Sequence, residues 1–178
     1  MGNLWKINWE ETKRHFNEWW RCEGIVTVMW GGINALKKPH DEVLDPGPSP
    51  SVEDSYLNAK WIAKNRRYCA SRTNFVADDL PYVLVSIGPG SLALYLGSEP
   101  GFSKDTVWYN PCINDSETHP KLQFDENNKW WKIHMEIIKE TVKEANGNYF
   151  VGCPDLIENI DILAAMRDPQ TLLTDLID

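Results

Sequence analysis

The chain of 178 residues is 42% hydrophobic and 25% charged, and its formal net charge of −8 at pH 7 goes with an isoelectric point near 5.0. A chain of this length can bury a core of its own, so we expect a single domain over residues 1–178. Because phosphate binding needs a clustered Lys and Arg surface, this acidic balance argues against a nucleic-acid partner.

The sequence predicts a cytoplasmic protein without a membrane partner. Residues 1–8 contain a single Lys and no apolar run of signal-peptide length, and no stretch approaches the roughly 20 apolar residues of a membrane helix. The cysteines, Cys22, Cys69, Cys112 and Cys153, lie far apart without a CxxC pair, which predicts reduced, structural thiols.

Apolar patterns predict alternating helices and strands along the first half of the chain. Asn8 and Glu11 have the spacing of a capping box, and the apolar stripe that follows has a helical period. The apolar run 25–30 is rich in β-branched residues and lacks alternation, as in strands buried on both faces of a parallel sheet. In order, we predict a helix over 9–23, a strand over 25–30, a long loop over 33–51, a helix over 52–71 and a second buried strand over 82–87.

The second half continues this alternation, and its clearest element is a long amphipathic helix with apolar residues three and four apart. We predict a short helix over 91–96, an extended segment over 106–109, the amphipathic helix over 127–146, a third buried strand over 149–152, a helix over 156–167 and another that starts at Asp168 and Pro169. Helices that alternate with such strands indicate an α/β fold with a parallel sheet. Three strong strands and a weak one fall short of an eight-stranded barrel, whose typical length is roughly 250 residues.

Ligands of parallel α/β folds bind at the carboxyl ends of the strands, so the loops that follow the predicted strands hold the first candidates. The candidate ligand-binding residues near these ends are Trp30, Ser86, Gly88, Gly90, Trp108 and Tyr109. The aromatic ones suit the wall of a pocket for a flat or sugar-like ligand. Packing in the core is the commoner role of such side chains and stays open as the alternative.

The sequence GPGSLA at residues 88–93 matches the G-x-G-x-x-A dinucleotide fingerprint. It follows a predicted strand and opens a helix, where backbone N–H groups can hold an anion. However, the helix is short, and no acidic residue ends a strong strand about 20 positions later. A tight turn that admits close approach to its backbone is therefore the favoured interpretation, with nucleotide binding as the alternative.

Asp155 and Glu158 are the candidate catalytic residues, because they follow the strand predicted over 149–152 and lie one helical turn apart. That spacing permits an acid/base pair. Each also has a structural alternative, Asp155 as the cap of the helix that begins at Leu156 and Glu158 as a first-turn acid favoured by the helix dipole.

His134 lies beside the apolar stripe of the long helix, which predicts a buried, hydrogen-bonded histidine. His15, His40 and His119 have no partner at ligand spacing, so the sequence predicts no metal site. It also contains no serine-hydrolase elbow, P-loop or HExxH motif, which removes support for those enzyme classes.

Several segments resemble the uroporphyrinogen decarboxylase-like superfamily. They are LPY at 80–82, GPGSLALYLG at 88–97, VWYNPCI at 107–113, GCPDLIEN at 152–159 and DILAAMR at 161–167. The resemblance covers most of residues 25–178 but only the N-terminal half of a family member. It implies the N-terminal part of a (β/α)8 TIM barrel, with an N-terminal helix and about three barrel strands, which this chain alone does not close.

The resemblance also separates two branches of the superfamily. True decarboxylases carry arginines just after the first strand to grip propionate groups, an essential Asp after the second strand and a tyrosine after the next. The matching positions here are residues 29–32, which contain no arginine, then Gly88 and Ile160. A tetra-anionic porphyrinogen would therefore meet no cations, and the resemblance favours the corrinoid-dependent methyltransferase branch.

In that branch the zinc-binding His and Cys ligands lie in the second half of the barrel. Zinc or a corrinoid is therefore expected only together with a C-terminal half, and this chain alone is expected to be inactive. The expected partners are a small-molecule ligand and either further copies of the chain or a complementing half. Three alternatives stay open: a non-catalytic binding or assembly module, a decarboxylase (lyase) of a small or tetrapyrrole carboxylate, and a small nucleotide binder.

Overall fold

The computed structural model describes residues 4–29, 36–152, 154, 156 and 159–177. Within these ranges helices and short strands make a mixed α/β structure, and the strands form two two-stranded sheets, neither of them closed. The helices are α1 (Trp9–Trp20), α2 (Asp54–Leu57), α3 (Ala59–Arg72), α4 (Ser91–Tyr95), α5 (Lys129–Ala145), α6 (Asn159–Arg167) and α7 (Pro169–Asp175). The strands are β1 (Tyr82–Leu84), β2 (Glu99–Phe102), β3 (Val107–Asn110) and β4 (Phe150–Gly152).

None of the helices in the described part of the chain is long and apolar enough to cross a bilayer.

The chain divides into two units, each built from several stretches of sequence. The first unit comprises Met1–Pro48, Lys60–Leu84 and Lys139–Gly152, and the second comprises Ser49–Ala59, Val85–Ile138 and Cys153–Asp178. The single domain over 1–178 stays a prediction.

The sheet of the first unit is the parallel pair of β1 and β4, in which Tyr82 lies opposite Phe150 and Val83 opposite Val151. Because side chains alternate along a strand, the two valines point to one face, where they pack against the core formed by Trp5, Ala70, Ala145 and Tyr149. Tyr82, Leu84 and Phe150 belong to the other face and are roughly half exposed. Only one face of this parallel sheet is therefore well covered.

The strand predicted over 25–30 is wrong for its described residues, 25–29. Ile25 is 82% exposed, and the only strand-like pairing in this stretch is an isolated antiparallel bridge between Val28 and Ala77. The Thr27 N–H donates to Oδ2 of Asp78 at 3.0 Å, and the Thr27 carbonyl accepts from the Asp78 N–H at 2.9 Å. The Asp78 side chain thus accepts the hydrogen bond that the Thr27 N–H would donate to a neighbouring barrel strand. The described parallel sheet therefore has two strands instead of three.

The helix predicted over 52–71 is split. The Ser51 hydroxyl accepts from the first N–H of α2, that of Asp54, at 2.9 Å, and Asn58 then takes an extended conformation (φ −77°, ψ 92°) before α3 begins. The predicted long loop is confirmed over the described residues 36–51, which contain no helix or strand.

The second unit contains an antiparallel hairpin of β2 and β3, with Gly101 opposite Trp108. The extended segment predicted over 106–109 is β3, but its partner β2 was not predicted, because Pro100 and Gly101 weaken the strand pattern. This segment is a hairpin strand, so it does not supply a barrel strand. The core beneath it is built from Ala93, Ile113, Ile162 and Met166.

Capping side chains fix the starts of two predicted helices, whereas the capping box predicted at Asn8 is wrong, because Asn8 makes no side-chain cap hydrogen bond to α1. Asn128 accepts from the N–H groups of Trp130 and Trp131 at 2.8 and 3.1 Å and so starts α5. Asp168 accepts from the Thr171 N–H at 3.0 Å and starts α7, with proline at the first helical position. The backbone of Asp168 has φ +80°, a left-handed value that is uncommon outside glycine.

Candidate functional site

A cavity of about 530 Å³ lies within the second unit. One wall comes from the glycine turn and β3, and the other comes from α6 and the junction between α6 and α7. The lining residues are Pro89, Gly90, Thr106, Val107, Trp108, Tyr109, Pro111, Asp161, Ile162, Ala164, Ala165, Asp168 and Pro169. The cavity therefore brings together Gly90, Trp108 and Tyr109, which the sequence predicted as ligand-binding residues.

The glycine turn at 88–90 closes around the phenol ring of Tyr109. The Tyr109 hydroxyl donates to the Ile87 carbonyl at 2.9 Å and accepts from the Gly90 N–H at 2.8 Å. A Cβ added at Gly88 would lie 2.6 Å from this hydroxyl, and one added at Gly90 would lie 2.9 Å from a ring carbon. Gly88 also has φ +75°, so both its backbone angle and its surroundings require glycine.

This packing agrees with the predicted tight turn and weakens the nucleotide alternative. The Gly90 N–H that would bind a phosphate is already donated to Tyr109, and α4 behind it has only five residues. The Ser91 hydroxyl is engaged too, since it accepts from the Ile87 N–H and donates to the Gly88 carbonyl, both at 3.1 Å. Burial raises the pKa of Tyr109 to about 12, against the opposing Gly90 hydrogen bond, so the phenol is neutral near pH 7.

Trp108 lies beside the same cavity and is 71% exposed, which rules out the core-packing alternative for this residue. Its cross-strand partner is Gly101, which has no side chain to cover the indole. A large aromatic surface is therefore open to solvent at the edge of a cavity.

Two carboxylates line the cavity, and the sequence interpretation did not assign either to a site. Asp161 belongs to the first turn of α6, and Asp168 follows that helix. Residues 161, 164, 165 and 168 all line the cavity, and this i, i+3, i+4, i+7 spacing on one helix face is the signal that would have identified the wall. Hydrogen bonds from the Thr171 N–H, the larger cause, and from the Thr171 hydroxyl lower the pKa of Asp168 below its ordinary value. The carboxylate is therefore ionised at neutral pH.

No Lys, Arg or His is among the residues that line the cavity, all of which lie in the described part of the chain. The neighbouring Arg167 is engaged with Asp175 through two contacts of 2.8 and 3.0 Å and also donates to the Ile113 carbonyl at 3.1 Å. Its carboxylates, Asp161 and Asp168, thus have no basic counterpart in the lining, which gives the cavity an anionic character.

The remaining predicted site residues do not contribute to this cavity or fall outside the structure's described ranges. Ser86 and Gly88 are described but do not line it, and Gly88 acts on the site through its packing against Tyr109 and Val107. Trp30, Asp155 and Glu158 lie outside the described residues, so their assigned roles stay predictions.

His134 is fully buried in the second unit, as predicted. Its Nε2 donates to the Val85 carbonyl at 3.0 Å, while Nδ1 accepts from the Tyr95 hydroxyl. Burial lowers the pKa of His134, against the opposing Val85 hydrogen bond, and the neutral ring satisfies both partners. The pair is structural, because neither residue lines the cavity.

The first unit holds a separate polar cluster around the loop before β1. His15 Nδ1 lies 2.7 Å from Oδ1 of Asp78, and the buried Lys6 ammonium donates to the carbonyls of Phe75 and Ala77 at 2.8 and 2.6 Å. Ala77 has φ +48°, and Asn8 also donates to its carbonyl. These contacts bind α1 and its flanking residues to the loop, which is a structural role.

Among the described residues, no group of three or more His, Cys, Asp or Glu side chains is arranged to hold a metal ion. Comparisons of the chain with protein-family models, curated proteins and solved structures found no match.

Proposed function

We propose that this chain is the N-terminal portion of a uroporphyrinogen decarboxylase-like barrel, and that the cavity of its second unit binds a small molecule. The observation that carries the binding function is the cavity of about 530 Å³, lined by Gly90, Trp108 and Tyr109. Its volume falls within the roughly 300–1,000 Å³ typical of small-molecule sites, and its mostly apolar wall with a few polar side chains has their usual composition.

The parallel pairing of β1 with β4 supports the partial-barrel hypothesis. The two strands lie far apart in the sequence with helices between them, as parallel pairing requires. Parallel sheets are normally covered on both faces, whereas Tyr82, Leu84 and Phe150 are half exposed here. A complementing half would cover this apolar face.

The charge of the cavity bears on the reaction. Asp161 and Asp168 would repel a tetra-anionic porphyrinogen, and the lining offers no cation to its carboxylates. This favours the corrinoid-linked methyltransferase branch over the decarboxylases. Any zinc or corrinoid would be held by residues of the complementing half.

Binding is tested by amide NMR of the full chain with small organic molecules of positive, neutral and negative charge. We expect shifts at Gly90, Thr106 and Ala165 that disappear in Ala164→Trp, which fills the cavity. Leu163→Trp is the matched control, since Leu163 is exposed on the same helix and does not line the cavity. The binding proposal is wrong if no molecule shifts these amides, or if Ala164→Trp leaves the shifts unchanged.

The enzyme part of the proposal needs its own test. With a complementing C-terminal half supplied, zinc content and methyl transfer from a methylated corrinoid are measured. Absence of both would refute the methyltransferase assignment while leaving ligand binding intact.

The half-exposed sheet face also favours a second candidate function, a non-catalytic assembly module. Light scattering would then show oligomers that dissociate in Leu84→Lys but persist in Leu44→Lys, a control at a position that is also exposed but lies in the loop before α2. A monomer at all concentrations contradicts this candidate.

A further inference from the structure

We propose that the second-unit cavity selects small organic cations, with the cationic group held between the exposed indole of Trp108 and the carboxylates of Asp161 and Asp168. This inference rests on the proposed binding function, because it names the ligand class of the same cavity.

The negative charge of the lining favours a positively charged ligand. Asp161 and Asp168 are its ionisable acids, and no basic residue lines it. Asp168 uses one oxygen, Oδ2, to bind the N–H and hydroxyl of Thr171, each at 3.0 Å, and these contacts keep the group ionised. An anionic ligand would meet uncompensated repulsion, whereas a cation gains attraction from both walls.

The aromatic wall favours an organic cation over a metal ion. A cation over the face of Trp or Tyr is attracted by the ring quadrupole, and an alkylated ammonium also buries its methyl groups there. Two carboxylates without a third ligand do not make a metal site in the described residues. The cavity is also much larger than a bare ion needs.

The rings at the cavity are not occupied by cations of the protein itself. Within the described ranges, four rings carry a Lys or Arg over their faces, namely Trp9, Trp5, Tyr68 and Trp130. No such contact is found at Trp108 or Tyr109 in the same part of the chain, although the indole of Trp108 is 71% exposed. An external cation therefore finds an open aromatic face beside two acids.

The test compares three probes of nearly the same shape and different charge: choline, its uncharged isostere 3,3-dimethylbutan-1-ol, and 3,3-dimethylbutanoate. Each is titrated into the full chain, with the Gly90, Thr106 and Ala165 amides followed by NMR. We expect choline to bind at least about tenfold more tightly than the alcohol, and the carboxylate to bind more weakly still.

Variants assign the effect to the named groups. Asp161→Asn and Asp168→Asn should each weaken choline binding about threefold to tenfold and leave the alcohol unchanged. Asparagine retains the capping ability of residue 168, so this variant keeps α7 intact. Asp105→Asn, which removes an exposed carboxylate of the same unit outside the cavity, is the matched control and should have no effect.

The outcomes separate this inference from the binding proposal. If the alcohol or the carboxylate binds as tightly as choline, the cavity is a binding site but not a cation site, and the inference is wrong. If the aspartate variants bind choline like the control, the acids play no part and the inference is also wrong. If none of the three probes shifts the lining amides, both the inference and the binding proposal fail.

Discussion

Replacement of Gly88 by alanine would disturb the turn that holds Tyr109 against the cavity. The new Cβ would lie 2.6 Å from the Tyr109 hydroxyl and 2.7 Å from Cβ of Val107. It would also be held at φ +75°, which L side chains rarely adopt. The backbone accounts for about 1–2 kcal/mol of the expected loss in the free energy of unfolding. The overlap adds about 1–3 kcal/mol, since Val107 and the turn are both packed.

The chain provides a control that separates the two contributions. Gly47 has a similar backbone angle, φ +70°, but a Cβ added there meets nothing within 4 Å. Gly47→Ala should therefore lose only the backbone contribution, about 1–2 kcal/mol. The difference between the two variants measures the contact between the turn and β3.

The assay is urea unfolding followed by circular dichroism, combined with amide exchange of α4 in the folded state. Gly88→Ala should lower the free energy of unfolding more than Gly47→Ala and speed exchange in α4. If Gly88→Ala is no more destabilising than Gly47→Ala, the close packing of Tyr109 into the glycine turn is not a source of stability, and the explanation of the motif is wrong.

Three further predictions follow from the capped and buried groups. Asp168→Ala should lower the free energy of unfolding and Asp168→Asn should not, as measured by urea titration. Burial alone would raise the pKa of Asp78, but the Thr27 N–H and His15 outweigh it and lower the pKa. Its contribution is therefore complete above about pH 4 and lost as the pH falls through the lower folded value, so acid titrations of wild type and Asp78→Asn should converge at low pH. Because burial lowers the pKa of His134, unfolding takes up a proton below about pH 6.5, and the free energy of unfolding should fall as the pH drops below that value; a flat profile between pH 7 and 5 would contradict this.

The sequence correctly predicted those helices whose period or capping residues lie within the helix itself or next to it. The long helix was found because its apolar residues recur three and four positions apart, and α7 because Asp168 and Pro169 form its start. The stretch 25–29 looked like a buried strand by composition alone. Its backbone donor is taken by Asp78, a residue about fifty positions away, and no local pattern reveals such a contact.

The candidate site was predicted in part for the same reason. Gly90, Trp108 and Tyr109 stand out because glycine turns and clustered aromatic residues are visible in the sequence. Asp168 was interpreted only as the start of a helix and Asp161 only as part of a segment that resembles a family, and their alignment toward the cavity depends on how α6 packs against β3. The position of a residue on a helix can be predicted from neighbouring residues, but the part of the protein that the helix packs against cannot.

The glycine turn and the cavity wall are one arrangement rather than two separate motifs. Gly88 and Gly90 admit the Tyr109 ring, whose hydroxyl is then bound on both sides by the backbone of the turn. Because side chains alternate along β3, this anchoring of Tyr109 also fixes the opposite orientation of Trp108, which faces Gly101 and stays exposed. The glycines that match a phosphate-binding fingerprint therefore act on the site indirectly, by holding Tyr109 in place. They position Tyr109 and, through β3, Trp108, while Asp161 of α6 and Asp168 after it line the other side of the cavity.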